Sequence, residues 1–427
     1  MIFLKMAYLN LFRNKRRSFS TALAICVGFV GLNLLGAYVY RVKRALDATS
    51  VYSAQNGHIK VYKKESLVQF TLNPKKYILS QQDLKSLSKV LETQSNDVEY
   101  VGHNLTGSGL LSNGQTSHPV MFLSFESDVY ARSLAQPELK YWAPDWVLPA
   151  QFDNIKLFQQ NPEMMSLTPR IEDIMGLKKP LASNESLQMA TRSLDGDLNA
   201  VNLDLGAEHT TGMQFLEDTL VLIPFAKAQE LLATDGSESI SIYLRPDVAM
   251  SVFKEKLDRS LDGLGLESYV YFDERINSIY LGTLGFLIVM CAFVVFLIGT
   301  AVALTIVNSL TMGIIERSRE IGTLMAIGFK KRDVTKLFVY ESLVLCTFSV
   351  MAGAVLTFII SAIVNYINIR FSPPGVAGAI QFKLVWNFVL AMSLTLTTYL
   401  IVGGSAMFVM VSRSKLKLID LLQDAGA

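Results

Sequence analysis

Three long intervals of the chain carry no charge: between Arg275 and Glu316, between Glu341 and Arg370, and between Lys383 and Arg413. A fourth uncharged run, 18–40, follows the basic cluster Lys15, Arg16 and Arg17. A helix of about 20 apolar residues crosses the hydrocarbon layer, so each interval holds one span, and the first named has turns to spare. Four spans put both termini on one side of the membrane. Basic residues before the first span, in the loop 317–336, and at Arg413, Lys415 and Lys417 all fall on that side, which the positive-inside rule makes cytoplasmic. Arg41, Lys43 and Arg44 fall on the other side, where a long translocated domain weighs little in that rule. Composition agrees: 51% hydrophobic residues over 427 positions and a mean hydropathy of +0.33 are too apolar for an ordinary soluble enzyme. A formal charge of +2 selects no polyanionic partner, nucleic acid included.

The expected fold class is an α-helical membrane protein of four transmembrane helices with a large α/β extracytoplasmic domain inserted between helices one and two. The expected limits are an amphipathic cytoplasmic-face helix at 1–17, a first span at 18–40, the exterior domain at 41–277 and a second span at 278–312. A cytoplasmic loop follows at 313–336, then a third span at 337–369, an exterior loop at 370–383, a fourth span at 384–412 and a tail at 413–427. In the first segment Ile2, Met6, Leu9 and Phe12 stand at helical spacing, with Asn10, Arg13 and Arg17 on another face, which suits a helix on the inner leaflet. Arg13, Arg16, Arg17 and Glu341 are the expected membrane-interface residues. A cleaved signal peptide fits poorly, because the uncharged run is long and no small-x-small site ends it. Ile25 is too bulky to precede a lipidated Cys26. All three cysteines, Cys26, Cys291 and Cys346, lie in apolar runs and imply no disulfide framework.

Residues 41–277 have the composition of a soluble domain. Alternation marks a strand at 58–62, and Ser80 with Asp83 makes a capping box for a helix to about Thr93. The stretches 98–111 and 119–125 flank SNGQTSH, a hairpin with its turn at Asn113-Gly114. A loop-rich middle contains Trp142, Pro144, Trp146 and Pro149. Strands are expected at 219–223, 239–244 and 267–272, and helices at 225–232 and 247–261. Alternation at both ends suggests a split α/β unit with a segment inserted between.

The stretch 313–328, GIIERSREIGTLMAIG, reads as a helix at the membrane surface. Ile314, Ile321 and Met325 share one stripe, while Glu316, Arg317, Arg319 and Glu320 occupy the opposite arc. Glu316 with Arg319, and Arg317 with Glu320, are opposite charges at i,i+3. Gly328 suits the positive φ that often follows a last helical turn. Such a helix, between two spans, can be gripped by a cytoplasmic partner. Within the spans, Glu341 reads as a salt-bridge or helix-terminus residue near Lys336. Asn308 and Asn365 suit interhelical hydrogen bonds, and Gly28, Gly31, Ser349 and Gly353 suit close packing. No stripe of polar residues marks a hydrophilic conduit. No G-x-x-x-x-G-K-[ST] loop is present, so ATP hydrolysis falls to another chain. His58, His103, His118 and His209 are not spaced as metal ligands, and no G-x-S-x-G elbow points to a serine hydrolase.

These residues resemble a known family. The run ERSREIGTLMAIG, KKRDV and YES looks like the hallmark of FtsX-like ABC permeases, the superfamily of the macrolide-efflux and lipoprotein-releasing permeases. The opening AYLNLFRNKRRSFSTALAICVG, then QNGHIKVY, LIPFAKAQELL and the Pro-Pro-Gly at 373–375 are similar to that family as well. The resemblance implies a mechanotransmission permease with a MacB-like exterior core in the bacterial inner membrane, both termini cytoplasmic. Two permease subunits, identical or diverged, would pair with two copies of a separate ABC ATPase, and ATP would act only through that partner, with no cofactor bound directly. The coupling helix seated in the ATPase would carry Glu316, Arg317, Arg319, Glu320, Ile321, Gly322, Leu324, Ala326 and Gly328. Motion of spans one and two would open and close the exterior domain. It would lift a lipoprotein or other lipid-linked cargo from the outer leaflet, with membrane lipids and a periplasmic carrier as partners. Efflux of a drug, peptide or toxin through a membrane-fusion protein, or activation of a cell-wall hydrolase, are the alternatives.

Overall fold

The computed structural model describes residues 15–143, 160–161, 163–177, 186–372 and 375–413. Arg13 and most of the expected 1–17 helix lie outside these residues. So do Pro144, Trp146, Pro149, Pro373, Lys415 and Lys417.

In chain order the main elements begin with helix α1 (Lys15–Ala48) and a π-helical turn (Thr49–Ser53). Strand β1 (Ile59–Lys63), helix α2 (Gln81–Glu92), strands β2 (Val98–Asn104), β3 (Thr106–Ser112) and β4 (Ser117–Phe125), and helix α3 (Ser127–Ala135) follow. Then come β5 (Met164–Leu167), β6 (Ser186–Arg192), β7 (Leu198–Glu208), β8 (Leu220–Pro224), α4 (Phe225–Leu232), β9 (Ser239–Leu244), α5 (Met250–Leu261) and β10 (Leu266–Val270). The last third holds α6 (Ser278–Glu316), α7 (Ser318–Ala326), α8 (Lys331–Ile367), the short strands β11 (Arg370–Phe371) and β12 (Ile380–Gln381), and α9 (Phe388–Arg413). Among the described residues, four helices are long and apolar enough to cross a membrane: 16–53, 278–316, 331–367 and 388–412. The chain divides into two compact units.

One unit comprises residues 1–41, 285–369 and 382–427. Its core joins Ile25 of α1, Val302, Ile306 and Leu310 of α6, Phe338 and Cys346 of α8, and Val402 and Ala406 of α9. Small residues set the approach of its helices. A Cβ on Gly28 would stand 2.7 Å from Val302, and one on Gly353 2.8 Å from Phe29, so these glycines let the helices meet closely. Asn365 ties the end of α8 to the segment leading into α9 by two hydrogen bonds with the backbone of Leu384, at 2.8 and 2.9 Å.

The other unit comprises 42–284 and 370–381. Its sheet runs β10-β1-β9-β2, each pair antiparallel, so its strands come from the two ends of the segment. Period-two alternation sends Ile59 and Val61 of β1, with Ile240 and Ile242 of β9, to the face covered by α2 and α5. They meet Leu87, Phe253 and Leu257 there. Helix α2 begins with the expected capping box of Ser80 and Asp83. Between β2 and β9 is inserted a closed barrel of order β3-β4-β8-β5-β7-β6. Its pairs β4 with β8 and β5 with β7 are parallel, and Leu111, Phe122, Met165, Leu203, Leu205 and Ile223 fill it.

The expected single strand at 98–111 is two strands. It breaks at Leu105, fully buried, whose N–H donates to Ser124 Oγ at 2.7 Å, and the chain passes there from sheet to barrel. The hairpin turn stands where expected: Gly114 has φ +85°, and Asn113 Oδ1 accepts the N–H groups of Gln115 and Thr116. The segment expected as a plain loop after the third span carries the β11–β12 ladder. It also pairs with the barrel unit: Gln214 N–H donates to Gly375 O, and Ala377 N–H to Gly212 O.

Candidate coupling site at a helix break

Helix α6 is apolar over most of its length, and three residues near its end share one stripe. Ser309, Gly313 and Glu316 stand at i, i+4 and i+7. Arg17 and Thr21 of α1, at i and i+4, lie across this stripe. Thr21 Oγ1 donates to Ser309 Oγ at 2.8 Å, Arg17 Nε donates to the same oxygen at 3.1 Å, and Arg17 Nη1 pairs with Glu316 at 3.3 Å. Gly313 makes the crossing possible, because a Cβ there would fall 2.0 Å from the Arg17 guanidinium.

Helix α6 ends at Glu316. Arg317, at φ −105° and ψ 16°, breaks the helical path and caps α7. Its side chain turns to α8, where Nη1 donates to both carboxylate oxygens of Glu341, at 3.1 and 3.3 Å. The two side chains are only 9% and 14% exposed, so this is a buried pair rather than a solvated one. Beside it lies a cavity of about 30 Å³ lined by Thr21, Ser309, Arg317, Glu341 and Ser342 among others. Its polar walls leave room for about two waters.

Helix α7 buries Ile321 in the same core as Ile314, with Met325 packed on it. Of the expected site residues on it, Arg319, Glu320 and Ala326 are exposed, as is Gly328 just after it; Leu324 is half-buried, and Ile321 and Gly322 are buried. Ile327 is 73% exposed at the end of this ridge. The helix closes with Phe329 N–H donating to Leu324 O and Gly328 N–H to Met325 O, Gly328 taking φ +109°. This is the Schellman arrangement that a glycine permits.

Three expectations change. Residues 313–328 are not one helix, since 313–316 belong to α6. Arg317 does not share the exposed arc with Glu316, Arg319 and Glu320, because its buried pair with Glu341 of α8 outweighs an i,i+3 pair worth a few tenths of a kcal/mol; Glu316, 51% exposed, pairs with Arg17 of α1. Glu341 is not at a helix start. Helix α8 begins at Lys331, where Lys330 N–H donates to Asp333, and the dipole field fades within the first turn. Glu341, in its third turn, is held by Arg317. Arg16, the other described interface residue, is exposed on α1. The seat made by Ser309 and Gly313 went unread, although their spacing from Glu316 in an otherwise apolar helix is a signal for it. The side chain of Asn308, expected as an interhelical partner, makes no hydrogen bond among the described residues.

The histidines serve structure. His103 pairs with Glu126 at 3.0 Å, and His118 meets Asp218 O at 2.8 Å. His58 Nδ1 accepts the Leu244 N–H at 3.1 Å, and burial pushes its pKa down to about 4. His209, buried beside Ser166, is pushed down by the same cause to about 3.

Residues 275–415 match the FtsX-like permease C-terminal domain. Over 91 residues, 21% of this chain and 14% of that protein, the chain is 31% identical to the macrolide export ATP-binding/permease protein MacB of Mannheimia succiniciproducens. Over 180 residues, 42% of this chain and 28% of the relative, it is 25% identical to MacB 1 of Aeromonas hydrophila. Over 177 residues, 39% and 26%, it is 26% identical to the pyoverdine export ATP-binding/permease protein PvdT of Pseudomonas syringae. The chain thus spans less than a third of the length of these relatives. Among solved structures, the periplasmic region of MacB from Actinobacillus actinomycetemcomitans aligns with 53% of this chain and 93% of its own, at 13% identity and a TM-score of 0.34. The last third of the chain thus carries an FtsX-like permease C-terminal domain, and parts of the chain are similar to the MacB and PvdT export permeases.

Proposed function

We propose that the chain is the permease subunit of an ABC transporter in a bacterial inner membrane, working by mechanotransmission, with ATP hydrolysed by a separate ATPase. The observation that carries this reading is α7, a short helix between two apolar spans, whose exposed ridge of Arg319, Glu320, Ala326 and Ile327 suits a protein groove. The two residues just before it, Glu316 and Arg317, are clamped to α1 and α8 by ion pairs. In this reading α7 is the coupling helix, both termini are cytoplasmic, and the α/β unit with its barrel is exterior. A second permease subunit covers α6, whose most apolar stretch is only 6% buried within the chain, against 39% for α1. Cargo is handled in the exterior domain, since the spans offer no polar conduit. Lipid-linked cargo lifted from the outer leaflet is one reading. Export of a soluble compound through a fusion partner is the other, and the names of the MacB and PvdT relatives favour it.

The test is affinity purification of the intact chain in mild detergent, with mass spectrometry of co-purifying proteins and lipopeptides, in wild type and in the double variant Arg319→Glu, Glu320→Lys. An ATPase recovered with wild type and lost in the variant, with membrane insertion unchanged, supports the coupling helix. Equal recovery overturns it. Trapped lipopeptides select lipid-linked cargo, whereas a fusion protein without them selects export.

A further inference from the structure

Two chain segments that join the α/β unit to apolar helices, the outer part of α1 and the start of α6, meet inside that unit. Asp47 of α1 is 5% exposed. Its carboxylate accepts hydrogen bonds from Lys43 Nζ at 2.7 Å, one turn earlier, and from the hydroxyl of Tyr280, in the first turn of α6, at 2.5 Å. A second tie lies beside it. Asn277 Oδ1 accepts the Tyr280 N–H at 3.3 Å and so caps α6. The amide nitrogen of Asn277 donates to Ser50 Oγ, in the π-turn that ends α1, at 3.0 Å, and to Tyr271 O at 3.1 Å.

The π-turn is itself wedged. Ala54 N–H reaches back to Thr49 O, and Gly57 N–H to Val51 O. Gln55 and Gly57 both take positive φ, and a Cβ on Gly57 would stand 2.8 Å from the backbone of Ile242 in β9. Around the ties, Ala48, Val51, Tyr52, Tyr271 and Tyr280 share one apolar cluster with Phe125 and Tyr130, next to the barrel. π-Turns interrupt helices often at functional positions. Asp47, just before this one, and Ser50, within it, stand at i and i+3 and both face α6.

We propose that Asp47 with Tyr280, and Ser50 with Asn277, form a joint that makes the outer ends of α1 and α6 a single body with the α/β unit. Force arriving along either helix then turns the whole unit and does not splay one helix from the other. This rests on the mechanotransmission reading and names the point where motion enters the exterior domain. Tyr280 and Asp47 act by positioning.

The joint is tested by hydrogen exchange read by mass spectrometry on the full chain in nanodiscs, for wild type, Tyr280→Phe and Ser50→Ala. Removing a bond to a buried carboxylate speeds local opening about tenfold. In Tyr280→Phe the expected result is faster exchange in both 43–54 and 278–284, with α2, in a separate core, unchanged. Ser50→Ala, which removes only a hydroxyl, shows the same paired effect more weakly. Acceleration confined to the mutated segment in both variants overturns the joint. The exchange result does not depend on an ATPase. Failure to recover an ATPase would therefore sink the transport reading and leave the joint standing. Where one is recovered, Tyr280→Phe keeps its stimulation and loses cargo release; full release in that variant also overturns the joint.

Discussion

Arg317 and Glu341 are the pair whose removal has the largest computable consequence. An exposed ion pair contributes roughly 0–1 kcal/mol, because water screens both charges. This pair lies at 3.1 Å with side chains 9% and 14% exposed, in the buried regime. There, deleting one partner strands the other charge at a cost of about 3–5 kcal/mol, while replacing both by apolar groups of similar volume is close to neutral. Arg317→Met and Glu341→Leu should each lower stability by about 3 kcal/mol, discounted slightly for water in the adjacent cavity, and the double variant should return to within about 1 kcal/mol of wild type. The assay is reversible denaturation of the full chain in mixed detergent micelles, followed by tryptophan fluorescence or circular dichroism. Single losses below about 1 kcal/mol that simply add in the double variant would refute the buried-pair argument. Under the coupling proposal the double variant, though stable, no longer transmits between α7 and α8. Its ATPase stimulation by cargo is then lost.

Other expectations concern separate features. Gly313→Ala drives the Arg17 guanidinium off its seat, so Glu316→Gln, which weakens the Arg17 pair in wild type, should have no further effect on stability in that background; additive effects would argue against the seat. His209, neutral and folded at a pKa of about 3, takes up its proton more readily once unfolded, near pH 6.5. Stability is therefore lost as pH falls through that window, by about 2 kcal/mol at pH 5 for this one group, and His209→Gln should flatten the pH dependence of unfolding of the full chain. Gly114→Ala places a side chain at φ +85° and should cost about 1 kcal/mol in thermal unfolding, with no change at the helix break. A reporter at Gly114 should label from outside intact cells and one at Lys330 only from inside; the reverse pattern would overturn the assigned orientation.

Local signals carried much of the fold. The charge-free intervals marked four apolar helices, and the Ser80–Asp83 box, the Asn113-Gly114 turn, helix α4 and strand β9 stand where side-chain chemistry and period placed them. The barrel was not legible. Its parallel pairs join strands remote in sequence, and no local alternation tells which neighbour a strand will choose. The split at Leu105 is of the same kind, since both halves read as extended chain. At the coupling site the composition was readable and the partners were not. Glu316 finds Arg17 across 299 positions. A helical wheel drawn through 313–328 assumes the continuity that Arg317 interrupts.

Strand β1 pairs only with β9 and β10, both close to 200 residues downstream. During synthesis IKVYK therefore emerges well before either neighbour exists, and the inserted barrel can close while β1 still waits. An unpaired apolar strand invites association with other nascent chains, and charged residues within it act as gatekeepers against this. Lys60 and Lys63 fill that place. Lys60 is buried in the finished sheet, and that burial pushes its pKa down to about 8. A lysine that is costly to the mature fold has a use in the interval before the fold exists, when solubility and not stability decides whether the chain survives.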